Sequence, residues 1–104
     1  MFTDCLFSNN EAAIFIHNRV NNNTISNNTI LNNQFGIEIT ISNSPPNINN
    51  KIYHNNFIYN TQNAIDECTN TWYNDTSQEG NYWSDYTGID ANGDGMGDTP
   101  YNIP

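Results

Sequence analysis

The chain has 104 residues, enough for one domain with a modest core, and 36% hydrophobic with 12% aromatic content is not the profile of a disordered polymer. Eleven acids against Arg19 and Lys51 leave a net charge of −9, which excludes nucleic acid or an anionic membrane as a partner held by charge. No stretch is apolar for long enough to span a bilayer, and Met1-Phe-Thr-Asp lacks the basic start and apolar run of a secretory leader.

The low mean hydropathy of −0.71 comes from 23 asparagines rather than from charge. Thirteen isoleucines against two leucines favour strands over a leucine-rich repeat. Residues 1–22 supply the first repeat, with Phe2, Leu6 or Phe7, Ile14 and Ile16 expected to face inward. Phe2, Phe7, Ile14 and Ile16 fall 23 residues before Ile25, Ile30, Ile37 and Ile39 in the second repeat, residues 23–49. The third repeat, 50–70, aligns Ile52 with Ile25 at an offset of 27, and Ile58 with Ile30 and Ile65 with Ile37 at an offset of 28. That alignment places one inserted residue between the first pair and the others. Copies at this spacing indicate a solenoid. Short alternating strands joined by Asn-rich turns predict an all-β, single-stranded parallel β-helix of about three rungs, stacked about 4.8 Å apart.

Asn28 over Asn56 and Asn32 over Asn60 are candidates for amide ladders along the axis. The alternative is that asparagine serves only as a turn former. Gly36, beside Ile37, suits a tight bend. Ser42–Asn49, with Pro45-Pro46, bulges from the stack as either a contact surface or a plain insertion. Glu67 breaks the column of Ile16 and Ile39, so the chain is expected to leave the stack near Asp66. The chain begins inside a rung, which predicts a piece of a longer protein or a first rung with an open sheet edge.

Residues 71–104 change character, carrying both tryptophans and four of the six tyrosines. Trp72, Tyr82, Trp83 and Tyr86 serve either as the cap that a solenoid end requires or as rings on which sugars stack. Asp90, Asn92, Asp94 and Asp98 stand at positions 1, 3, 5 and 9 of a calcium-type loop, with the Met96 carbonyl at 7 and Gly95 at the sharp turn. Tyr101 occupies position 12, where a bidentate Glu is expected, so Asp85 or another carboxylate would complete the site. The reading is a structural calcium ion; a metal-free Asn-Gly/Asp-Gly turn is the alternative. Asn22, Asn27 and Asn74 head N-glycosylation patterns that a chain this rich in Asn yields by chance.

Cys5 aligns with Asn28, and Cys68 lies two rungs away, roughly 9.5 Å, beyond the reach of a disulfide. Free, mostly inward thiols are expected. His17 aligns with Thr40 and His54 with Ser26 and Asn27, so the histidines stand in different columns.

The rung sequences, Gly80-Asn-Tyr-Trp-Ser-Asp-Tyr86 and the segment Asp90 to Tyr101 together resemble the NosD-like right-handed parallel β-helix proteins over nearly the whole chain. The resemblance implies the carbohydrate-binding and sugar-hydrolase β-helix group, an extracellular, cell-surface or periplasmic setting, and architectures common in archaea. The family name also implies a role in copper insertion, which a shared repeat alone does not transfer.

Three functions compete. The first is a non-catalytic secreted or surface module that binds glycan or a partner subunit, stacked on upstream rungs of a longer parent or forming a homo-oligomer. The second is part of a polysaccharide lyase or hydrolase, for which Glu38 and Asp66 are expected to stack on adjacent rungs. The third is copper delivery, for which His17, His54, Met1, Met96, Cys5 and Cys68 are dispersed along the chain. The first accounts best for the sequence.

Overall fold

A computed structural model describes residues 2–17, 20–40, 48–74, 76, 79–86 and 103. Eleven short strands are found among them: β1 (Phe2–Thr3), β2 (Leu6–Ser8), β3 (Ala12–Ile16), β4 (Thr24–Ser26), β5 (Thr29–Leu31), β6 (Phe35–Ile39), β7 (Ile48–Tyr53), β8 (Asn56–Ile58), β9 (Gln62–Asp66), β10 (Thr69–Thr71) and β11 (Tyr82–Trp83). Every pairing is parallel, and the strands sort into three sheets, β1-β4-β7-β10, β2-β5-β8-β11 and β3-β6-β9. Each turn of the chain therefore adds one strand to each of three walls. The fold is a parallel β-helix, as the repeat predicts.

Between the first and second rungs the register matches the sequence alignment: Phe2 opposes Ile25, Phe7 opposes Ile30, Ile14 opposes Ile37 and Ile16 opposes Ile39. Ile25 opposes Ile52 as expected. Beyond that point the alignment needs correction. No residue is inserted between the pairs: Ile30 opposes Phe57, not Ile58, and Ile37 opposes Ala64, not Ile65. A slip of one residue reverses the faces of a strand. In the true register Phe57 and Ala64 are buried inside, while Ile58 and Ile65 are only half-buried. The larger Phe57 and smaller Ala64 replace two isoleucines of the rung before, so the third rung fills similar space with a different division of volume.

The corners explain the asparagine doublets. Asp4, Asn27 and His54 form one column of residues with positive φ (56°, 58° and 55°). Asn9, Asn32 and Tyr59 form a second (59°, 56°, 53°), and Asn22 and Asn49 a third (both 61°). Asparagine tolerates this left-handed conformation better than most residues. In the second and third rungs the residue after most of these corners turns its side chain into the stack. There Asn28, Asn33, Asn50 and Asn55 are buried. The amide of Asn55 is satisfied on both sides: Oδ1 accepts from the Asn28 backbone N and Nδ2, each at 3.0 Å, while Nδ2 donates to Asn81 Oδ1 at 3.0 Å and to the Ile25 carbonyl at 2.9 Å. The columns run Cys5–Asn28–Asn55–Asn81, Asn10–Asn33–Asn60 and Asn23–Asn50–Asn70. The ladders exist, but Asn28 stacks on Asn55 rather than Asn56, and Asn33 rather than Asn32 stacks on Asn60. Turn forming and laddering are thus the work of adjacent residues.

Gly36 is needed for a close approach. A Cβ there would run into the Asn63 carbonyl oxygen and lie 3.1 Å from Phe57 Cδ1.

Candidate functional site

The chain does not leave the stack at Asp66. β10 adds to β7 and β11 adds to β8, making a partial fourth rung whose third wall has no strand among the described residues. Asp66, not Glu67, stands under Ile39 in the inward column. Its carboxylate accepts from the Cys68 backbone N at 2.9 Å, Asn70 Nδ2 at 3.1 Å and Trp72 Nε1 at 2.9 Å, which starts the new rung and fixes the first ring of the cap. Trp83 then lies flat on Phe57, with centroids 4.4 Å apart and planes at 17°, and Trp72 leans on Trp83 at 6.0 Å. Asn81 Nδ2 joins the two segments, donating to the Trp72 carbonyl at 3.1 Å and the Ile52 carbonyl at 3.0 Å.

The four sequence-predicted ring residues therefore separate. Trp83 is buried, and Trp72 and Tyr86 are half-buried against the core. Tyr82, which opposes Asn56 across the strand pair, is 59% exposed. Two further exposed tyrosines, outside the predicted four, are Tyr59 and Tyr73. Tyr59 is concealed in the sequence because its position is a corner, where the repeat elsewhere has asparagine. Its backbone N donates to Ser84 Oγ at 2.9 Å, which puts it next to β11.

The expected pair of acids does not form. Glu38 opposes Ile65, and Asp66 occupies the next register position, turned to its three donors. Asp85, the acid suggested to complete the calcium-type loop, accepts Asn63 Nδ2 at 2.8 Å. The loop itself, with Asp90, Asn92, Asp94, Met96 and Asp98, lies outside the described residues, as do Tyr101, Arg19 and Pro45-Pro46.

Both cysteines are free, but Cys5 is exposed rather than inward, and Cys68 is half-buried. No group of three or more His, Cys, Asp or Glu able to hold a metal occurs among the described residues. His17 Nδ1 meets Thr40 Oγ1 at 3.0 Å, and His54 Nε2 lies 3.4 Å from Glu79 on another wall. Among the described residues no helix is long and apolar enough to cross a membrane.

A family model described as "Periplasmic copper-binding protein (NosD)" matches residues 2–88. The chain belongs to the NosD family. The "Probable ABC transporter binding protein NosD" of Stutzerimonas stutzeri is 37% identical over 99 residues, covering 94% of this chain and 22% of that protein. The chain thus spans about a fifth of the length of this NosD relative. No solved structure matches significantly. The donors that copper would need do not fit a site among the described residues: His17, His54, Cys5 and Cys68 stand apart, and both rings and both sulfurs have other neighbours.

Proposed function

We propose that the chain is a non-catalytic β-helix module of a NosD-type periplasmic protein that binds glycan through the outer surface of its capped end. One observation carries this reading: the tryptophans are committed to the cap, while Tyr59, Tyr73 and Tyr82 remain exposed in the same half of the molecule. Exposed rings beside amides such as Asn56 suit the apolar faces and hydroxyls of a sugar. The loop from Asp90 to Asp98 is read as a structural calcium site on the strength of its oxygen-ligand spacing. A melt in calcium and then in chelator tests it; an unchanged Tm removes it.

The glycan reading is tested on an array with the whole chain and with Tyr82→Ala and Tyr59→Ala. Loss of binding with an unchanged Tm supports it. Trp83→Ala is unsuitable for this purpose, because it removes the cap. A wild-type chain that binds no glycan overturns the reading.

A second reading rests on the relative's name. A binding protein of a transporter presents a surface to a membrane complex, and a rigid stack of rungs suits that task. Copper ligands would then lie outside the described residues. Binding of Cu(I) more tightly than to a scrambled control favours this alternative.

A further inference from the structure

One of the three walls carries no charge on its outer face. In the sheet β2-β5-β8-β11 the middle residues Ile30, Phe57 and Trp83 are buried, so their neighbours in each strand alternate outward. One outward column runs Leu6, Thr29, Asn56 and Tyr82, in register. The next runs Ser8, Leu31 and Ile58. All seven are uncharged, in a chain of net charge −9. Asn56 and Tyr82 are exposed, and Thr29, Leu31 and Ile58 are half-buried. Tyr59 stands at the corner that follows Ile58.

The charges lie elsewhere. Lys51, the sole lysine or arginine among the described residues, pairs with Thr24 and Thr71 in another wall. Glu38 and Asp66 belong to the third. The corners that bound the uncharged wall carry acids: Asp4 between β1 and β2, Glu79 beside His54 between β7 and β8, and Asp85 after β11.

We propose that this wall is the track of the glycan site, and that it takes an uncharged polysaccharide, one chain wide, laid along the stack from Tyr82 toward Thr29. The proposal rests on the glycan reading above and narrows it to a substrate class. Size argues for a single chain. The two columns are about 7 Å apart and span three rung steps, about 14 Å. A stable protein interface needs about 800 Å² from each partner, so a second copy is not the occupant. Chemistry argues for sugar: apolar ring faces rest on Tyr82, Ile58 and Leu31, while hydroxyls reach the Asn56 amide and the Thr29 hydroxyl. Charge then selects among sugars. A uronate or sulfated chain would set anions on a wall without a cation, between acidic corners, and such like-charge contact is unfavourable.

The test is calorimetric titration of the whole chain with cellohexaose, mannohexaose and hexagalacturonate. At least one neutral hexamer should bind about tenfold or more tightly than the uronate. Asn56→Ala and Leu31→Thr should each weaken that binding by about five- to tenfold. Phe15→Ala, exposed on the wall β3-β6-β9, should leave it unchanged. Asn56 is exposed, so its variant keeps the fold even if Leu31→Thr lowers Tm. Hexagalacturonate binding as tightly as the neutral hexamers overturns the proposal and leaves the glycan reading standing. So does full binding by Asn56→Ala and Leu31→Thr alongside loss in Tyr73→Ala, which moves the sugar to another wall. No binding of any hexamer overturns the proposal as well, and the array then decides the broader reading separately.

Discussion

At one end of the stack Trp83 lies on Phe57 and is 9% exposed; at the other, Phe2 stands on Ile25 and is 47% exposed. Both are aromatic residues at the limit of the same three-walled core. They differ in how the layer around each is completed. The capped end closes because Asp66 collects three donors, bends the chain into a partial rung and pins Trp72, so the last layer is ring on ring. Among the described residues the open end has unpaired edges of β1, β2 and β3 and a hollow lined by Phe2, Ile14, Ile16 and Ile25 instead. A solenoid rung is thus a unit with two different faces, and its stability depends on having a neighbour or a substitute for one.

The largest expected effect contrasts two members of one ladder. Asn55→Ala takes the acceptor from the Asn28 backbone N and the Nδ2 donor from the Ile25 carbonyl in a buried setting, while Asn28 Nδ2 keeps the Phe2 carbonyl and Asn81 Oδ1 keeps the Asn55 backbone N. At about 1–3 kcal/mol per orphaned group, with partial relief by relaxation, the loss is on the order of 4 kcal/mol. For a domain of marginal stability this is most of what holds it folded. Cys5→Ala, at the exposed end of the same column, should change stability by less than about 0.5 kcal/mol. Urea titration of both variants measures the difference. Equal effects would show that ladder position, and not coverage by a neighbouring rung, sets the energy.

The same ladder shows how much of the fold is legible in the sequence. Isoleucine spacing reveals the rungs, and it yields the Phe2/Ile25 and Ile14/Ile37 registers without a structure. The third rung is misread when doublets are matched to doublets: Asn27-Asn28 aligned onto Asn55-Asn56 gives an offset of 28. The physical pair is His54-Asn55, at an offset of 27, because the first corner residue needs only a left-handed backbone whereas the second needs an amide. Phe57 and Ala64 are then hidden by two isoleucines, Ile58 and Ile65, each one place further on. The cap is legible in the aromatic composition, but its hinge at Asp66 is not, since three donors from Cys68, Asn70 and Trp72 converge only after the chain has turned.

Truncating the two terminal rings sharpens the comparison at intermediate size. Trp83→Ala exposes Phe57 and unseats Trp72, with an expected loss of about 3 kcal/mol. Phe2→Ala removes a side chain that is already half in solvent and meets Phe7 edge-on at 5.9 Å, so about 1 kcal/mol is expected. Thermal melts with tryptophan fluorescence monitor both. A Phe2→Ala loss equal to that of Trp83→Ala would show that the ring at the open end is held as firmly as the ring at the cap.

The smallest effect has the opposite sign and belongs to the capped half. Tyr59 holds φ at 53° in a column where Asn9 and Asn32 hold 59° and 56°. A tyrosine gains nothing from that backbone, and with 76% of its surface exposed it gains little from packing. Tyr59→Asn retains the backbone N–H to Ser84 Oγ and relieves the left-handed strain, so stability should rise by about 0.5–1 kcal/mol. No such relief is available at Asn9, the equivalent corner beside the open end, where asparagine already stands. The substitution also separates fold from function. If Tyr59 is part of the sugar platform, the variant melts higher and binds glycan less, and the residue is held at this corner for its ring at a cost in stability. If the variant melts higher and binds as before, Tyr59 is a tolerated exception to the corner rule, and the platform contracts to Tyr73 and Tyr82.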